Sequence, residues 1–146
     1  MVKKATHFQV HELVCKHVFD KYGEKAWQFL DPRLVVTLDY IREEFDRPIE
    51  INNYYWGGYD TQSGLRCNLC SFVKDKTDAG KLYLSAHSQG MAADFSIEGM
   101  NANEVRVWLK QHEDRLPYPI RLEDGVNWVH IDVRQCNNEK VYIFNP

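Results

Sequence analysis

Apolar residues recur at helical spacing through the first third of the chain and alternate with polar ones near its end, so helices and strands fall in separate blocks. Side chains on one face of a helix repeat about every 3.6 residues, and those on one face of a strand every two. The coarse order of elements is α, α, β, a long loop, β, β, α, β, β, β. Because helices and hairpin-connected strands are segregated rather than alternating, this order predicts an α+β fold built on a small antiparallel sheet with flanking helices.

Val10, Leu13, Val14 and Val18 predict a first helix over 10–22, with Gly23 as its stop. The second helix is better marked. Asp31 suits its cap and Pro32 its first position, Leu34, Val35, Leu38, Ile41 and Phe45 form one apolar stripe, and Asp46 and Pro48 end it. Residues 49–54 alternate as a strand. Asn101 and Glu104 form a capping box for a third helix whose inner face is Val105, Trp108, Leu109 and His112. Segments 82–85, 91–97, 120–123, 126–133 and 141–144 read as extended, with Asp124-Gly125 joining the third and fourth of these. Residues 57–80 hold no periodicity, and a loop of that length inside a compact domain carries function or is disordered. The 146 residues fit one domain spanning 1–146.

Charge narrows the function classes. The formal net charge is −3 and no block of Lys or Arg stands out, so the electrostatic footprint of a nucleic-acid binder is missing. Binding to an anionic membrane surface is equally unsupported. No apolar stretch follows Lys3 and Lys4, and no run reaches the roughly 20 residues needed to cross a bilayer, so the chain is expected to be cytoplasmic as synthesised. Four cysteines occur, Cys15, Cys67, Cys70 and Cys136, and a disulfide framework is not expected in that compartment. Cys67-Asn68-Leu69-Cys70 has the spacing of half a zinc knuckle, but a second pair at similar spacing is missing. Cys15 and Cys136 could complete four thiolates only through tertiary contact. The expectation is therefore unpaired, partly buried thiols, with a structural metal as the alternative.

Two short segments carry the chemistry: Ser85-Ala86-His87-Ser88-Gln89-Gly90-Met91-Ala92-Ala93-Asp94 and Trp128-Val129-His130-Ile131-Asp132. Two imidazoles and a carboxylate are a sound ligand set for catalytic Zn²⁺, which takes three protein ligands and leaves a fourth position for water. Gly90 would allow a tight turn between the first two ligands. Strand alternation sets Trp128, His130 and Asp132 on one face. Residue types alone leave this reading in competition with ordinary core and surface histidines.

The pattern Ser85-x-His87-x-x-Gly90-x-Ala92-x-Asp94, followed by Trp128-x-His130, resembles the signature of the zinc D-alanyl-D-alanine carboxypeptidase family. That family includes phage endolysins, the vancomycin-resistance dipeptidases and, by fold, the hedgehog signalling domain. Asp31-Pro32-Arg33-Leu34, Arg47-Pro48-Ile49 and Ser63-Gly64-Leu65-Arg66 resemble the helix, strand and loop that precede the metal motif in small phage-type members. The resemblance implies a hedgehog/DD-peptidase-like fold, Zn²⁺ held by His87, Asp94 and His130, and metal-assisted hydrolysis of an amide bond in a peptidoglycan stem peptide. It implies a monomer that works as a carboxypeptidase or as an endolysin-type endopeptidase, released to the cell wall as a phage or prophage lysis or virion protein.

The family also has an acidic general base upstream of the last histidine. Glu123 is the first choice here, ahead of Asp124 and then Asp132, which could instead hold the tautomer of His130. A two-residue turn at Asp124-Gly125 would leave Glu123 roughly 13 Å from His130 at about 3.4 Å per residue. Either the connection is wider, or another carboxylate serves. Family members often place an arginine before the metal motif to bind the substrate carboxylate or the oxyanion. It directly follows a strand like 51–54 in many of them, where this chain has Tyr55 and Trp56, so Arg66 from the long loop is the candidate substitute. Ser85 is expected to hydrogen-bond beside the ligands. Tyr54, Tyr55 and Trp56 are either a cleft wall or core. A non-catalytic zinc-binding module of the same fold, and a metal held at Cys67 and Cys70 instead, are the rival readings.

Overall fold

The computed structural model describes residues 2–134 and 138–146, so Cys136 lies outside the described residues. In chain order the elements are α1 (Val10–Leu13), α2 (Lys16–Tyr22), α3 (Pro32–Phe45), β1 (Ile49–Glu50), α4 (Ser71–Asp78), β2 (Ala92–Ile97), α5 (Ala102–Gln111), β3 (Ile120–Glu123), β4 (Val129–Asp132) and β5 (Val141–Phe144). The strands form a five-stranded sheet in the order β1-β2-β4-β3-β5. The α+β class expected from the segregated pattern holds.

The caps explain the best-read helices. The Asp31 carboxylate accepts from the Arg33 backbone N–H at 2.9 Å, and Pro32 opens α3 without sacrificing a donor. Asp46 ends that helix in the left-handed region. The Asn101 side chain accepts from the Glu104 N–H at 2.8 Å and starts α5. Leu34, Val35, Leu38 and Ile41 of α3 join Val105 and Leu109 of α5 in one core, against Phe95, Ile97, Val129, Ile131, Ile120, Leu122 and Val141 of the sheet. Truncating any one of these large side chains to Ala would cost about 2–5 kcal/mol.

Alternation then leaves the opposite sheet face to Asp94, Ser96, His130, Asp132, Arg121 and Glu123, and that face carries the site.

Five readings of the pattern need correction. The sheet is mixed rather than antiparallel, because β5 pairs with β3 in parallel, Ile120 opposite Val141. After β4 the chain reverses but settles on the far side of β3, which itself runs opposite to β4; a strand placed there must run parallel to β3. The helix expected over 10–22 is two pieces, since Val14 and Cys15 are extended and Val14 bridges Leu65. Only Ile49–Glu50 of the 49–54 segment is strand, and 82–85 is not strand at all. Within the aperiodic 57–80 segment, Ser71–Asp78 is helical.

The break at Val14 has a counterpart at Gly64. Cys15 N–H donates to the Leu65 carbonyl at 3.0 Å and Leu65 N–H to the Leu13 carbonyl at 2.9 Å. The strands of this small ladder touch so closely that a β-carbon at Gly64 would lie 2.2 Å from the Leu13 oxygen. Gly64→Ala should therefore push the two backbones apart and lower stability by about 1–3 kcal/mol, the usual cost of overpacking; urea unfolding of the two proteins measures it, and an unchanged midpoint would refute the close contact.

Candidate metal centre

His87, Asp94 and His130 converge, each offering a ligand atom within 4.8 Å of the others. Asp94 lies on β2 directly opposite His130 on β4, so the sheet register alone sets the second and third donors side by side. His87 comes from a tight turn over 86–90. Ser85 builds that turn, its hydroxyl accepting from the Ser88 N–H at 3.1 Å, while Gly90 closes it with φ of +70° and sits where a β-carbon would be 2.0 Å from the Phe29 carbonyl. Ser85 thus shapes the turn that carries the ligand, and Gly90 meets the need expected of it.

Each imidazole is oriented by its second nitrogen. His87 Nδ1 donates to the Gly64 carbonyl at 2.9 Å, leaving Nε2 directed at Asp94 Oδ2, 3.3 Å away. His130 Nε2 donates to Asp132 Oδ2 at 2.9 Å, leaving Nδ1 facing Asp94 Oδ1 at 2.7 Å. A carboxylate can only accept, so the ring donates from both nitrogens and is held protonated between Asp94 and Asp132; a metal at Nδ1 would replace that proton and leave Nε2–H on Asp132. Asp132 is 0% exposed and is itself gripped by Arg121, whose Nε and Nη2 donate at 2.7 and 2.9 Å. Asp132 is thus the carboxylate that orients His130, the role proposed as its alternative to general base, and ligand histidines are commonly held this way.

The electrostatics follow from burial and pairing. Burial alone would push the Asp94 carboxyl up, but hydrogen bonds from His130 and His87 outweigh it and hold the group well below the usual carboxylate range. Burial pulls His130 down, yet its hydrogen bonds to Asp132 and Asp94 prevail and raise the imidazole to about 9. Asp132 is likewise depressed, burial notwithstanding, by His130 and Arg121. The two nitrogens lie 3.3 and 2.7 Å from the Asp94 oxygens and all three donors fall within 4.8 Å of one another, close to the edges of about 3.3–3.6 Å that bonds of about 2.0–2.2 Å to a tetrahedral ion require. These residues fit a divalent metal.

Arg66 reaches the same place from the long loop. Its Nη2 lies 3.4 Å from Asp94 Oδ2, its Nε donates to the Gln62 carbonyl at 2.6 Å, and the side chain is only 14% exposed. Arg66 and Asp94 line one cleft of about 400 Å³, whose walls include Tyr59, Phe72 and Trp128. Tyr54, Tyr55 and Trp56 are not its walls. The Tyr54 hydroxyl donates to the Val14 carbonyl at 2.9 Å, and Tyr55 stacks on buried His11 with ring centres 4.0 Å apart.

Glu123 stands closer to the site than a two-residue turn would allow. The pairing of β3 with β4 ends at Leu122 and Ile131, which leaves Glu123 one residue beyond it, on the sheet face that holds Arg121 and Asp132. The connection is wide, running over 124–128, and Arg106 of α5 holds it by donating to the Trp128 carbonyl at 3.0 Å. Asp124 turns toward that helix, 3.5 Å from Arg106 Nε, and away from the histidines.

A second group of donors lies elsewhere: Cys15, His17, Cys67 and Cys70 present ligand atoms that are also within 4.8 Å of one another and could bind a metal. Cys15 takes part as the sequence allowed. His17 was not foreseen, although its place two residues after a cysteine was the available signal. No helix among the described residues is long and apolar enough to cross a membrane. Comparison of the chain with protein-family models, with curated proteins and with solved structures finds no match.

Loosening the support of His130 should weaken metal binding without removing a ligand. Asp132→Asn is expected to lower affinity about 10- to 100-fold, the usual effect of losing such a partner. Competition against a chromophoric chelator reads this directly; equal affinities would mean that Asp132 does not orient the ligand.

Proposed function

We propose that the chain is a zinc-dependent peptidase that hydrolyses an amide bond in peptidoglycan stem peptides. The observation that carries this reading is the convergence of His87 and His130 on Asp94, which lines a cleft together with Arg66. Zinc bound by those three side chains would supply Lewis acidity and lower the pKa of a coordinated water toward 7. The substrate class rests on the resemblance of the 85–94 and 128–130 segments to the D-alanyl-D-alanine peptidase signature.

The remaining roles belong to the chain. Glu123, on the polar sheet face one residue beyond the Leu122–Ile131 pair, accepts a proton from the attacking water and returns it to the departing amine. Arg66 offers a fixed positive charge to the substrate carboxylate or to the oxyanion developing on the attacked carbonyl. The Asp132–Arg121 pair keeps His130 in the tautomer that presents Nδ1. Tyr59, Phe72 and Trp128 give the cleft apolar surface against which a peptide can lie while its polar ends are held.

Digestion of purified muropeptides, followed by mass spectrometry with and without a chelator, tests the proposal. Products should appear with the zinc-loaded protein and vanish on chelation. Glu123→Gln should retain zinc but lose about 10²- to 10⁴-fold in kcat, the usual contribution of a general base. Arg66→Ala should cut kcat/KM while leaving the metal bound. Unaltered muropeptides at full zinc loading would instead identify a non-catalytic zinc-binding module.

A further inference from the structure

The second donor group joins two stretches of chain that are about fifty residues apart. Cys15 caps α2 and His17 lies in its first turn; Cys67 and Cys70 precede α4, which Cys70 caps. His17 Nδ1 is 3.6 Å from Cys67 Sγ and 3.8 Å from Cys70 Sγ, and the two sulfurs are 4.0 Å apart. A tetrahedral ion with Zn–S of about 2.3 Å and Zn–N of about 2.0 Å requires S···S edges of about 3.8 Å and S···N edges of about 3.6 Å. The three edges among His17, Cys67 and Cys70 match those to within a few tenths of an ångström, and Cys15 Sγ lies within 4.8 Å of all three. Cys67-x-x-Cys70 also has the backbone of a metal knuckle: Cys70 N–H donates to the Cys67 carbonyl at 3.2 Å, and Leu69 N–H to the Cys67 sulfur at 3.4 Å.

We propose that Cys15, His17, Cys67 and Cys70 form a second, structural zinc site. Three thiolates and an imidazole complete a tetrahedron, so no position remains for water or substrate, as in zinc sites that fasten structure rather than catalyse. Soft sulfur donors in this geometry select zinc over the hard cations that favour oxygen. The site is independent of the peptidase reading, since it shares no ligand with the histidine–aspartate centre.

Its place in the fold gives it a task. The ion fastens the start of α2 to the turn before α4, and the segment so held carries the cleft. Arg66 directly precedes Cys67, and its guanidinium lies over the Phe72 ring at 5.2 Å. Gln62 ties the same parts together, donating to Ser71 Oγ at 2.8 Å and accepting from the Phe72 N–H at 3.0 Å. Zinc at the cysteines is therefore a positioning element for Arg66 and Phe72, which flank Cys67 and Cys70 in the chain.

The test uses the full chain with Cys136→Ser, so that the fourth thiol contributes no signal. Elemental analysis should find two zinc ions per chain, falling to one in Cys67→Ser/Cys70→Ser and to one in His87→Ala/His130→Ala. Cobalt(II) loading separates the sites without relying on a variant that must fold. The cysteine site gives thiolate-to-cobalt charge-transfer absorption in the near ultraviolet and intense tetrahedral d–d bands, and these persist in His87→Ala/His130→Ala. His17→Cys should keep the metal and strengthen the charge-transfer bands. A single zinc per chain with no thiolate absorption from cobalt would overturn the proposal, as would a Cys67–Cys70 disulfide in protein purified under zinc-replete, reducing conditions.

Discussion

The short parallel contact between 13–15 and 64–66 is what the rest of the chemistry leans on. It is only a few residues long, and the missing side chain at Gly64 is what lets the two backbones touch. From that one contact three consequences run in different directions. The Gly64 carbonyl receives Nδ1 of His87 and so decides which nitrogen of that ring faces Asp94. Arg66, two residues on, is aimed at the same carboxylate. Cys15 is carried to Cys67 and Cys70. Asn52, buried beside the contact, donates to the Val14 carbonyl at 3.0 Å and accepts from the Ser63 N–H at 2.9 Å, so both sides are tied to the chain that follows β1.

The histidine–aspartate centre draws its order from charge as much as from backbone. Burying a lone carboxylate as fully as Asp132 would cost several kcal/mol, yet Arg121 meets it with two hydrogen bonds and His130 with a third. Truncating one partner would leave the others unpaired, so the trio is held together by the penalty of separation. The same geometry makes His130 Nδ1 a site where a cation competes with a proton, because the ring sits between two carboxylates. The sheet supplies this at no conformational cost: residues paired across β2, β4 and β3 are already neighbours, and alternation has sorted the polar ones onto one face.

Much of this was legible in the sequence, and the limits have physical causes. Caps and stripes announced α3 and α5 because they are local signals, satisfied within one turn. The convergence of His87, Asp94 and His130 was expected from the resemblance of the 85–94 and 128–130 segments to a family signature; residue types alone left it in competition with ordinary histidines. The α4 helix was not, because Ser71–Asp78 buries only Val73 and so presents no stripe. The break in the first helix was hidden for the opposite reason: Val14 fits a helical stripe, and only its pairing with Leu65, about a third of the chain away, favours the extended form. The parallel pairing of β5 is a property of where the chain goes, which period-two patterning does not encode. His17 went unnoticed because a metal ligand set drawn from distant segments has no spacing of its own.

The cleft wall raises a question of stability that the core does not answer. Of the stretch from 57 to 91, only Leu65, Cys70, Val73 and Ala86 are buried apolar residues, while Tyr59, Leu69, Phe72, Leu82 and Leu84 are exposed. Ordering a backbone costs about 1–2 kcal/mol per residue, and so few buried side chains recover about 1.5–3 kcal/mol each at best. Such a segment holds one shape only if something other than apolar burial fixes it. Hydrogen bonds from Gln62, Asn52 and Arg66 do part of this, each contributing about 1 kcal/mol net. A metal joining three thiolates and an imidazole contributes on a larger scale, because its binding free energy becomes folding free energy for whatever it joins. The cysteine cluster, with Val73 packed against Cys15 and Cys70, sits at the base of the wall that carries Arg66. A domain of this kind would then use one ion to build its floor and another to hold its wall, with the sheet responsible for the first and the long loop for the second.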